Sequence, residues 1–535
     1  MRSMMKLWAP VLFVVTGTFV QAQQPKKETN NIEKFSTLYN YISQWYVDSV
    51  NTDKLVDDAI RSMLEELDPH SIYIPKEEVD EMNAPLKGNF EGIGIRFQIM
   101  KDTIMVVNTI PGGPSEKIGV KAGDKIIKIE DKVVAGVGIK NSNVREHLLG
   151  QKGTKVTIEV KRRNEKKNPV FTITRDKIPI YSIDAAYMAT DEIGYIKLSS
   201  FGETTMSEFF VAIDTLKKQG MKSLIFDLQG NGGGLLQTAI DLSDEFLDQN
   251  KLIVYTEGRS FERRDTYTRR TGNFESGKLI LLIDESSASA SEILSGAVQD
   301  WDRGLIVGRR SFGKGLVQKP ITLPDGSQVR LTTQRYFTPT GRCIQKPYEE
   351  GSEAYHKEKY QRFLSGEMMH KDSIKIPDSL KFETRVTKRE VFGGGGIIPD
   401  IFVPIDTTDN SDYLDALIRK GVFNDFCLEY VDDNRNKMKK SYPNFKKFKS
   451  DFKVDKAVVE EFKTFAEKEG VKFNEKDYET SKTIIHARIK AGIAQNIWDY
   501  PCFYEIINEI NPIYMKAIES IEDDTFKKMK LAANY

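Results

Sequence analysis

The chain has 535 residues, more than one hydrophobic core usually serves, so about two to four domains are expected. Its 78 basic and 78 acidic side chains balance, which leaves no overall positive field for phosphates and excludes nucleic-acid binding as the main role. The one local basic run, residues 437–449, is interpreted as a solvated helix face. Three scattered cysteines and five histidines give no zinc spacing, so neither a metal nor a cofactor is expected.

The N-terminus has the organisation of a secretory signal. Arg2 and Lys6 precede an apolar stretch over residues 7–20, and Ala22 supplies a small residue for cleavage. The stretch is too short to favour a membrane anchor, which remains the alternative. We predict a signal peptide over 1–22 and an exported mature protein without stable membrane insertion. Its compartment would be the periplasm or cell envelope if the source is a Gram-negative bacterium.

Residues 23–84 are predicted to be an N-terminal helical segment. Apolar residues from Phe35 to Tyr46 repeat at three-to-four spacing, which indicates one apolar helix face. A second helix is expected from Thr52 to Leu67, where Asp68-Pro69 stops it. His70 follows in the turn and is interpreted as a residue that makes local hydrogen bonds, not as a catalytic base.

Residues 85–175 change to short strands separated by glycines. The ordered series, which includes Ala122-Gly123-Asp124 before a strand, resembles a PDZ domain. The resemblance implies that a peptide adds as a strand and that backbone N–H groups of one loop bind its terminal carboxylate. That loop consists of Gly92, Ile93, Gly94 and Ile95. The two isoleucines beside the carboxylate site favour substrates with apolar C-termini.

Strand and helix patterns alternate over residues 176–407, which indicates an α/β core in a multidomain α+β chain. Within it, residues 347–392 are charged and lack periodicity, and we interpret them as an insertion, partly loop. A strand within residues 397–404 is expected to return to the core. Residues 408–535 are rich in Lys and Glu with helical spacing, which predicts a C-terminal helical domain.

The stretch Ser286–Glu292 places a hydroxyl at the start of a predicted helix over 290–300. Ser289-x-x-Glu292 is a capping box, and a serine in such a motif is normally structural. The same position nevertheless has free N–H groups and the positive end of the helix dipole beside it. The N–H groups of Ala290 and Gly233 could therefore form an oxyanion hole for an attacked carbonyl.

The stretch Phe312-Gly313-Lys314-Gly315 places a lysine between two glycines. A lysine normally titrates near pH 10.4, so burial must lower its pKa before it can act as a base. Gln318 lies four residues further, and even spacing on a strand puts both side chains on one face. Its amide oxygen is expected to orient the lysine. A surface lysine and an ordinary strand glutamine are the alternatives.

Together these motifs resemble the C-terminal processing, or tail-specific, serine peptidases. The match covers most of residues 32–407 and includes five further motifs: Leu67-Asp68-Pro69-His70-Ser71, Asp227-Leu228-x-x-Asn231-x-Gly233-Gly234, Thr332-Thr333-x-Arg335-Tyr336, Ile398-Pro399-Asp400 and the PDZ series. The resemblance implies a crotonase/ClpP-like core, an acyl-enzyme intermediate and a PDZ domain that gates the active site.

The resemblance also assigns roles to individual residues. It makes Ser289 the nucleophile, Lys314 the general base and Gln318 its orienter, and it makes Gly233 and Ala290 the oxyanion donors. Gly232 replaces the usual Ser or Pro of the family. Asp300 is set aside, because its position at a helix end explains it.

We therefore predict an exported serine endopeptidase that cleaves proteins recognised by their C-terminal tails. The alternative is a non-catalytic scaffold that binds peptides through the PDZ domain. An acyl-CoA hydratase-like enzyme with the same core is disfavoured by the signal sequence and the PDZ domain. The helical ends are compatible with a homodimer.

Overall fold

The computed structural model describes residues 31–163 and 165–531, so the predicted signal peptide lies outside the described residues. The chain divides after Met63 into two compact units. The first unit contains helix α1 (Asn31–Trp45) and the beginning of helix α2 (Thr52–Glu65). Helix α1 buries none of its residues, and its apolar side chains Leu38 and Trp45 are mostly exposed.

The second unit opens with a short strand, a helix and a second strand that lead into the PDZ domain. These are β1 (Ile72–Ile74), α3 (Lys76–Lys87) and β2 (Asn89–Gly92). The PDZ elements are β3 (Ile95–Met100), β4 (Thr103–Thr109), α4 (Pro114–Lys117), β5 (Lys125–Ile129), β6 (Lys132–Val133), α5 (Asn141–Leu148), β7 (Lys155–Lys161) and β8 (Val170–Thr174).

The PDZ sheet has the order β3-β4-β5-β7-β8, with β6 paired to β5. Strand β3 therefore lies at an edge, where another strand can add. The next strand, β9 (Asp176–Pro179), pairs antiparallel with β2, so the chain enters and leaves the PDZ domain through one two-stranded ribbon. Alternate residues such as Ile104, Val106 and Ile158 point inward and form a separate apolar cluster.

The α/β core expected over residues 176–407 is built on a six-stranded sheet with helices on its faces. Its elements are β10 (Ile183–Met188), β11 (Ile193–Leu198), α6 (Thr205–Lys218), β12 (Ser223–Asp227), α7 (Leu236–Phe246), β13 (Leu252–Gly258), β14 (Phe261–Tyr267), β15 (Leu279–Ile283), α8 (Ala290–Asp300), β16 (Leu305–Gly308), β17 (Leu316–Thr322) and β18 (Gln328–Phe337). The sheet order is β10-β11-β12-β15-β16-β21, where β21 (Ile401–Phe402) is the strand expected to return to the core.

Strands β11, β12, β15, β16 and β21 run parallel, and only β10 pairs antiparallel. Every residue of Leu279–Ile283 is buried, because a parallel strand covered on both faces needs a continuous apolar run. Helices α6, α7 and α8 contribute to the apolar cluster on one face. The other face packs against residues near the C-terminus, among them Ile513 and Ile521.

A second sheet carries the lysine segment. Strand β18 pairs with β17 along one edge and with β1 and β13 along the other, and β14 pairs with β13. The β13–β14 hairpin is an element that the sequence patterns did not indicate.

The inserted segment contains more regular structure than its sequence pattern suggested. It holds α9 (Ser352–Leu364), two 3-10 turns (Lys371–Ser373 and Asp378–Leu380) and the paired strands β19 (Lys381–Glu383) and β20 (Glu390–Phe392). The C-terminal region is helical, with α10 (Asp412–Arg419), α11 (Val422–Ser441), α12 (Phe445–Asp451), α13 (Lys456–Lys468), α14 (Glu475–Ile497), α15 (Tyr500–Ile507), a 3-10 turn (Asn508–Ile510), α16 (Pro512–Glu522) and α17 (Thr525–Lys528). Helices α10 to α15 share one apolar cluster of their own.

Candidate active site

Ser289 lies at the sharp turn between strand β15 and helix α8. Its backbone adopts φ 56° and ψ −111°, and a non-glycine residue rarely adopts a positive φ. Such a conformation costs about 1–3 kcal/mol and persists only where the surroundings hold it. The side chain is partly exposed, and its oxygen takes part in a capping box with the backbone N–H of Glu292. The hydroxyl proton remains available to a ligand. Among the described residues the Lys314 Nζ bonds to Gln318 and not to this hydroxyl.

Lys314 precedes strand β17 and its side chain is partly buried. The Nζ atom donates to the amide oxygen of Gln318 at 2.8 Å, so the two side chains do lie together. Burial lowers the pKa of Lys314, and the positive charge of Arg330 lowers it further. The negative charges of Asp68 and Glu292 oppose this shift. The direction is the one that a lysine base requires.

The carboxylate of Glu292 joins the serine and lysine segments. One oxygen accepts from the N–H of Ser289 at 2.8 Å and from the N–H of Lys314 at 2.9 Å. The other accepts from the N–H of Gly313 at 2.7 Å and from the hydroxyl of Ser311 at 2.5 Å. Glu292 is fully buried, and burial raises the pKa of its carboxyl, while these four donors oppose that shift only in part.

Tyr336 of strand β18 makes a second connection between the same segments. Its hydroxyl lies 3.0 Å from the carbonyl oxygen of Ser289 and 2.5 Å from that of Lys314. Its single proton serves these two acceptors, and the ring is fully buried. The sequence analysis assigned neither Glu292 nor Tyr336 a role in joining the segments. The only signal for Glu292 was its capping box, and Tyr336 stood out only as part of a family motif.

The glycine loop after strand β12 packs against Ser289. A Cβ atom at Gly233 would lie 2.8 Å from Ser289 Cβ and 2.9 Å from the Ala290 nitrogen, so only glycine fits. The Gly233 N–H donates to the side-chain oxygen of Asn231 at 2.8 Å. The Ala290 N–H has no acceptor among the described residues. Of the two predicted oxyanion donors, one is thus free and the other is engaged in this state.

Asn231 holds the glycine loop in place. Its side-chain amide donates to the Leu198 carbonyl at 2.9 Å, and its own carbonyl accepts from the Ala288 N–H at 3.0 Å. The Ser291 hydroxyl also donates to that carbonyl at 2.9 Å. Because Asn231 is fully buried, these bonds fix the loop relative to the start of helix α8.

His70 lies closer to the lysine than its interpretation as a local turn residue suggested. Its N–H does bond locally to Asp68 at 2.8 Å, but its carbonyl accepts from the Gln318 side-chain amide. Burial and the positive charge of Lys314 lower the pKa of His70 to about 4. Asp68 is itself tied to strand β18, because it accepts from the Thr332 hydroxyl at 3.1 Å.

The loop from Gly92 to Ile95 lies between strand β2 and the edge strand β3. Its carbonyls are tied inward, since Ile93 O accepts from the Ser115 hydroxyl at 2.6 Å and Gly94 O accepts from the Ile110 N–H at 3.0 Å. The N–H groups of Ile93 and Gly94 have no acceptor within the described part of the chain. Gly94 has φ 73°, which favours glycine.

Asp300 is engaged away from the serine. Its carboxylate accepts from the guanidinium of Arg342 and from the Thr340 N–H at 2.8 Å, and both charged side chains are fully buried. Over residues 31–163 and 165–531, no group of three or more His, Cys, Asp or Glu side chains is arranged to hold a metal ion. No helix within the same ranges is long and apolar enough to cross a bilayer.

Four protein-family models match the chain. Peptidase family S41 matches residues 192–351, and a PDZ domain matches residues 92–171. The N-terminal domain of the activating protease CtpB matches residues 14–78. Residues 413–499 match a family of unknown function. The peptidase match thus spans the glycine loop, the serine turn and the lysine segment.

Curated relatives match over a longer span. The chain is 34% identical to the carboxy-terminal processing protease CtpA of Bacillus subtilis over 63% of this chain and 72% of that protein. It is 36% identical to the carboxy-terminal-processing protease of Bartonella bacilliformis over 63% of this chain and 80% of that protein. For the protease CtpB of Bacillus subtilis the identity is 31%, over 66% and 74%.

These matches favour a protease over a scaffold that only binds peptides. A mixed α/β core with a PDZ domain and a helical C-terminal region confirms the predicted fold class. The chain belongs to peptidase family S41, among the carboxy-terminal processing proteases, and is a serine-type peptidase that binds peptide or protein substrates.

Proposed function

We propose that this chain is an endopeptidase in which Ser289 is the nucleophile, Lys314 the general base and Gln318 the residue that orients it. The observation that carries the proposal is that the serine and lysine segments both donate hydrogen bonds to the side chain of Glu292. The serine and lysine N–H groups donate to one carboxylate oxygen, at 2.8 and 2.9 Å. These contacts support the proposal, because they tie the backbones of the partly exposed Ser289 and of a lysine with lowered pKa to one carboxylate.

The chemistry follows from these roles. Neutral Lys314 removes the hydroxyl proton while Ser289 Oγ attacks the peptide carbonyl carbon, giving a tetrahedral oxyanion. The C–N bond then breaks, and the Lys314 ammonium returns its proton to the leaving amine. Water then attacks the resulting ester while Lys314 again accepts a proton. The bond between the carbonyl carbon and Ser289 Oγ breaks as the Lys314 ammonium returns that proton to Oγ, which releases the acid and restores serine and neutral lysine. Gln318 restrains the amine through its 2.8 Å hydrogen bond.

The oxyanion is stabilised by the N–H groups of Ala290 and Gly233. The Ala290 N–H stands free at the first turn of helix α8, where the helix dipole favours negative charge. The Gly233 N–H donates to the Asn231 side chain, so it must turn away from that amide to bind an oxyanion. Two such donors are worth several kcal/mol in comparable sites, about 3–4 kcal/mol each.

The deciding experiment compares Ser289→Ala with Ser286→Ala in the same stretch. An unfolded reporter protein with an apolar C-terminus is digested, and the fragments are identified by mass spectrometry. Ser289→Ala abolishes cleavage but keeps binding of a tail peptide, whereas Ser286→Ala cleaves normally. Undiminished proteolysis by the Ser289→Ala variant would refute the assignment of Ser289 as the nucleophile.

Substrates are selected through free, apolar C-termini. The Ile93 and Gly94 N–H groups, without acceptors, support carboxylate binding in the loop from Gly92 to Ile95, and strand β3 offers an open edge. C-terminal amidation of a tail peptide removes its negative charge and should weaken both binding and cleavage. Equal cleavage of the free and amidated forms would exclude the PDZ domain from substrate selection.

The mature protein is exported, and lies in the periplasm or cell envelope if the source is Gram-negative. The support is the basic start and the short apolar stretch over 7–20. N-terminal sequencing of the protein recovered from the envelope fraction should begin after Ala22. Recovery of the intact N-terminus from the cytoplasm would contradict export.

The protein also forms a homodimer through helix α1. Its apolar residues Phe35, Leu38, Ile42 and Trp45 recur at alternating spacings of three and four, the pattern of a two-stranded coiled-coil seam. The helix buries none of them by itself, and a second copy offers the same stripe. Light scattering should give twice the chain mass for the wild type and one chain mass for Leu38→Glu. A wild-type monomer would refute this assembly.

A further inference from the structure

Helix α9, in the inserted segment, is anchored beside the lysine segment by charged side chains. Arg362 is almost fully buried, bonds to Glu358 at 2.7 Å and donates to the Ser311 carbonyl at 2.9 Å. Arg310, next to Ser311, forms an ion pair with Glu367 at 2.6 Å. The peptidase family match ends at residue 351, so α9 lies outside it.

Tyr355, in the first turn of α9, projects from this anchored helix into the core. It is 2% exposed, and its ring packs edge-on against His70 and Phe312, with ring centroids 5.1 and 5.8 Å apart. Its hydroxyl lies 2.8 Å from His70 Nε2 and accepts from the Gln345 side-chain amide at 3.3 Å. Helix α9 therefore supplies one hydroxyl to two residues of the core.

Both residues, His70 and Gln345, are linked by hydrogen bonds to the lysine segment. The side-chain oxygen of Gln345 accepts from the N–H of Gly315, the residue after Lys314, at 2.8 Å. The backbone carbonyl of His70 accepts a hydrogen bond from the side-chain NH₂ of Gln318. The side-chain oxygen of Gln318 in turn accepts one from Lys314 Nζ. The Tyr355 hydroxyl is thus the point where two hydrogen-bonded paths meet, one to the lysine backbone and one to its orienting amide.

The direction of these hydrogen bonds is fixed by chemistry. The Gln345 amide nitrogen can only donate, so the Tyr355 oxygen accepts from it and has its own proton available. Nε2 of a neutral His70 then accepts the hydrogen bond from the Tyr355 hydroxyl, and the ring's own proton is on Nδ1. Burial and the charge of Lys314 lower the pKa of His70 to about 4, so the ring is neutral near pH 7.

We infer that Tyr355 is a positioning residue that holds Lys314 and Gln318 in their reactive arrangement. The inference rests on the proposed function and gives the inserted segment a part in it. A lysine side chain has four rotatable bonds, and misplacing a base by about 1 Å can lower the rate about 100-fold. Tyr355 limits that freedom without touching the substrate.

The test compares Tyr355→Phe with Tyr360→Phe, the same substitution on the same helix at an exposed tyrosine whose hydroxyl bonds to none of the described residues. Cleavage of the apolar-tailed reporter is measured as kcat and KM across pH. We expect Tyr355→Phe to lower kcat roughly 10- to 100-fold at unchanged KM. We also expect the midpoint of its pH profile to rise, because a less restrained Lys314 ammonium contacts more water and its pKa moves back toward the ordinary value. Tyr360→Phe should match the wild type.

The pH midpoint separates positioning from a loss of folded enzyme, which would lower kcat without moving the midpoint. The other charged groups facing Lys314, namely Arg330, Asp68 and Glu292, stay the same in both variants. If Tyr355→Phe fails to fold, His70→Phe removes the other partner of the hydrogen bond and should shift the midpoint in the same direction.

Unchanged kcat and pH midpoint in Tyr355→Phe would overturn the positioning role. A lower kcat at an unmoved midpoint would overturn it too, and leave Tyr355 with a purely structural role. Both results are distinct from failure of the proposed function, which shows as full activity in Ser289→Ala. An inactive Ser289→Ala together with a normal Tyr355→Phe would thus remove only this inference.

Discussion

The partial burial of Lys314 determines how cleavage should depend on pH. Burial and the charge of Arg330 lower the pKa of the amine. In the proposed mechanism only the neutral amine accepts the serine proton. The lysine loses its proton as the pH rises through this lowered pKa. We therefore expect kcat/KM to increase with pH, to level off above the pKa, and to be unaffected by a chelator. Initial rates between about pH 6 and about pH 10 measure this.

Replacement of Lys314 by arginine tests the same point without a change of charge at neutral pH. A guanidinium does not release its proton in proteins, so Lys314→Arg should be inactive. Lys319→Arg, on an exposed position of strand β17, should keep normal activity. Full activity of the Lys314→Arg variant would rule out lysine as the base.

Glu292→Gln tests the connection between the serine and lysine segments. Glutamine has one acceptor oxygen and brings an NH₂ group toward four existing donors, so buried donors lose their partners. We expect the free energy of unfolding to fall by about 2–3 kcal/mol and kcat to fall with it. Denaturant titration and cleavage assays measure the two effects. Wild-type stability would contradict a connecting role for the carboxylate.

At the scale of elements, the glycine loop and the start of helix α8 fit each other closely. Gly233 has φ 102°, and a Cβ atom there would lie 2.8 Å from both Ser289 Cβ and the Ala288 carbonyl oxygen. Gly233→Ala should therefore displace the loop or the serine and abolish cleavage. Gly232 is a matched control, because a Cβ there meets nothing within 4 Å. Cleavage rates and melting temperatures of both alanine variants test the fit, and an active Gly233→Ala would contradict it.

Elements with strong apolar patterns could be predicted from the sequence. The helix expected over 290–300 is found at Ala290–Asp300, and the core strands follow the continuous apolar runs. Strand β14 was missed because most of its residues are charged and almost all are exposed, which leaves no apolar alternation. Helix α9 was missed because ionic contacts of Arg310 and Arg362 anchor it, and these leave no apolar period in the sequence.

The site itself could be predicted only in part. Local motifs indicated Ser289, Lys314 and Gln318, because each stands in a short pattern with a chemical meaning. The bond between His70 and Tyr355 joins residues 285 positions apart, and no spacing rule reaches that far. The hydrogen bond from the Gly233 N–H to the Asn231 side chain likewise depends on the conformation of the loop, which its residue types alone do not reveal.

At the scale of the whole second unit, the PDZ domain meets the C-terminal helices through polar contacts. Lys101 pairs with Glu429 at 2.9 Å, and Arg163 pairs with Asp433 at 2.5 Å. The apolar clusters of the two regions share no residue. Exposed ion pairs contribute little stability each and are screened by salt, so this interface should open more easily than either core.

Reversing one charge tests that interface. Glu429→Lys places like charges together and should increase hydrogen exchange in the β3–β4 turn, while Lys101→Glu in the same chain should restore protection. The control is Glu460→Lys, which alters a pair with Lys463 inside the helical region. Hydrogen–deuterium exchange with mass spectrometry gives the readout. Equal exchange in all four proteins would show that the pair does not hold the domains together.

The ribbon of β2 and β9 has a consequence for how such a chain can change over time. Both connections to the PDZ domain run side by side, so the first and last residues of the domain lie next to each other. Deleting it would leave ends that a short hairpin can close, and another module with adjacent termini could take its place. Recognition of the tail and cleavage of the backbone can therefore diversify separately within one polypeptide.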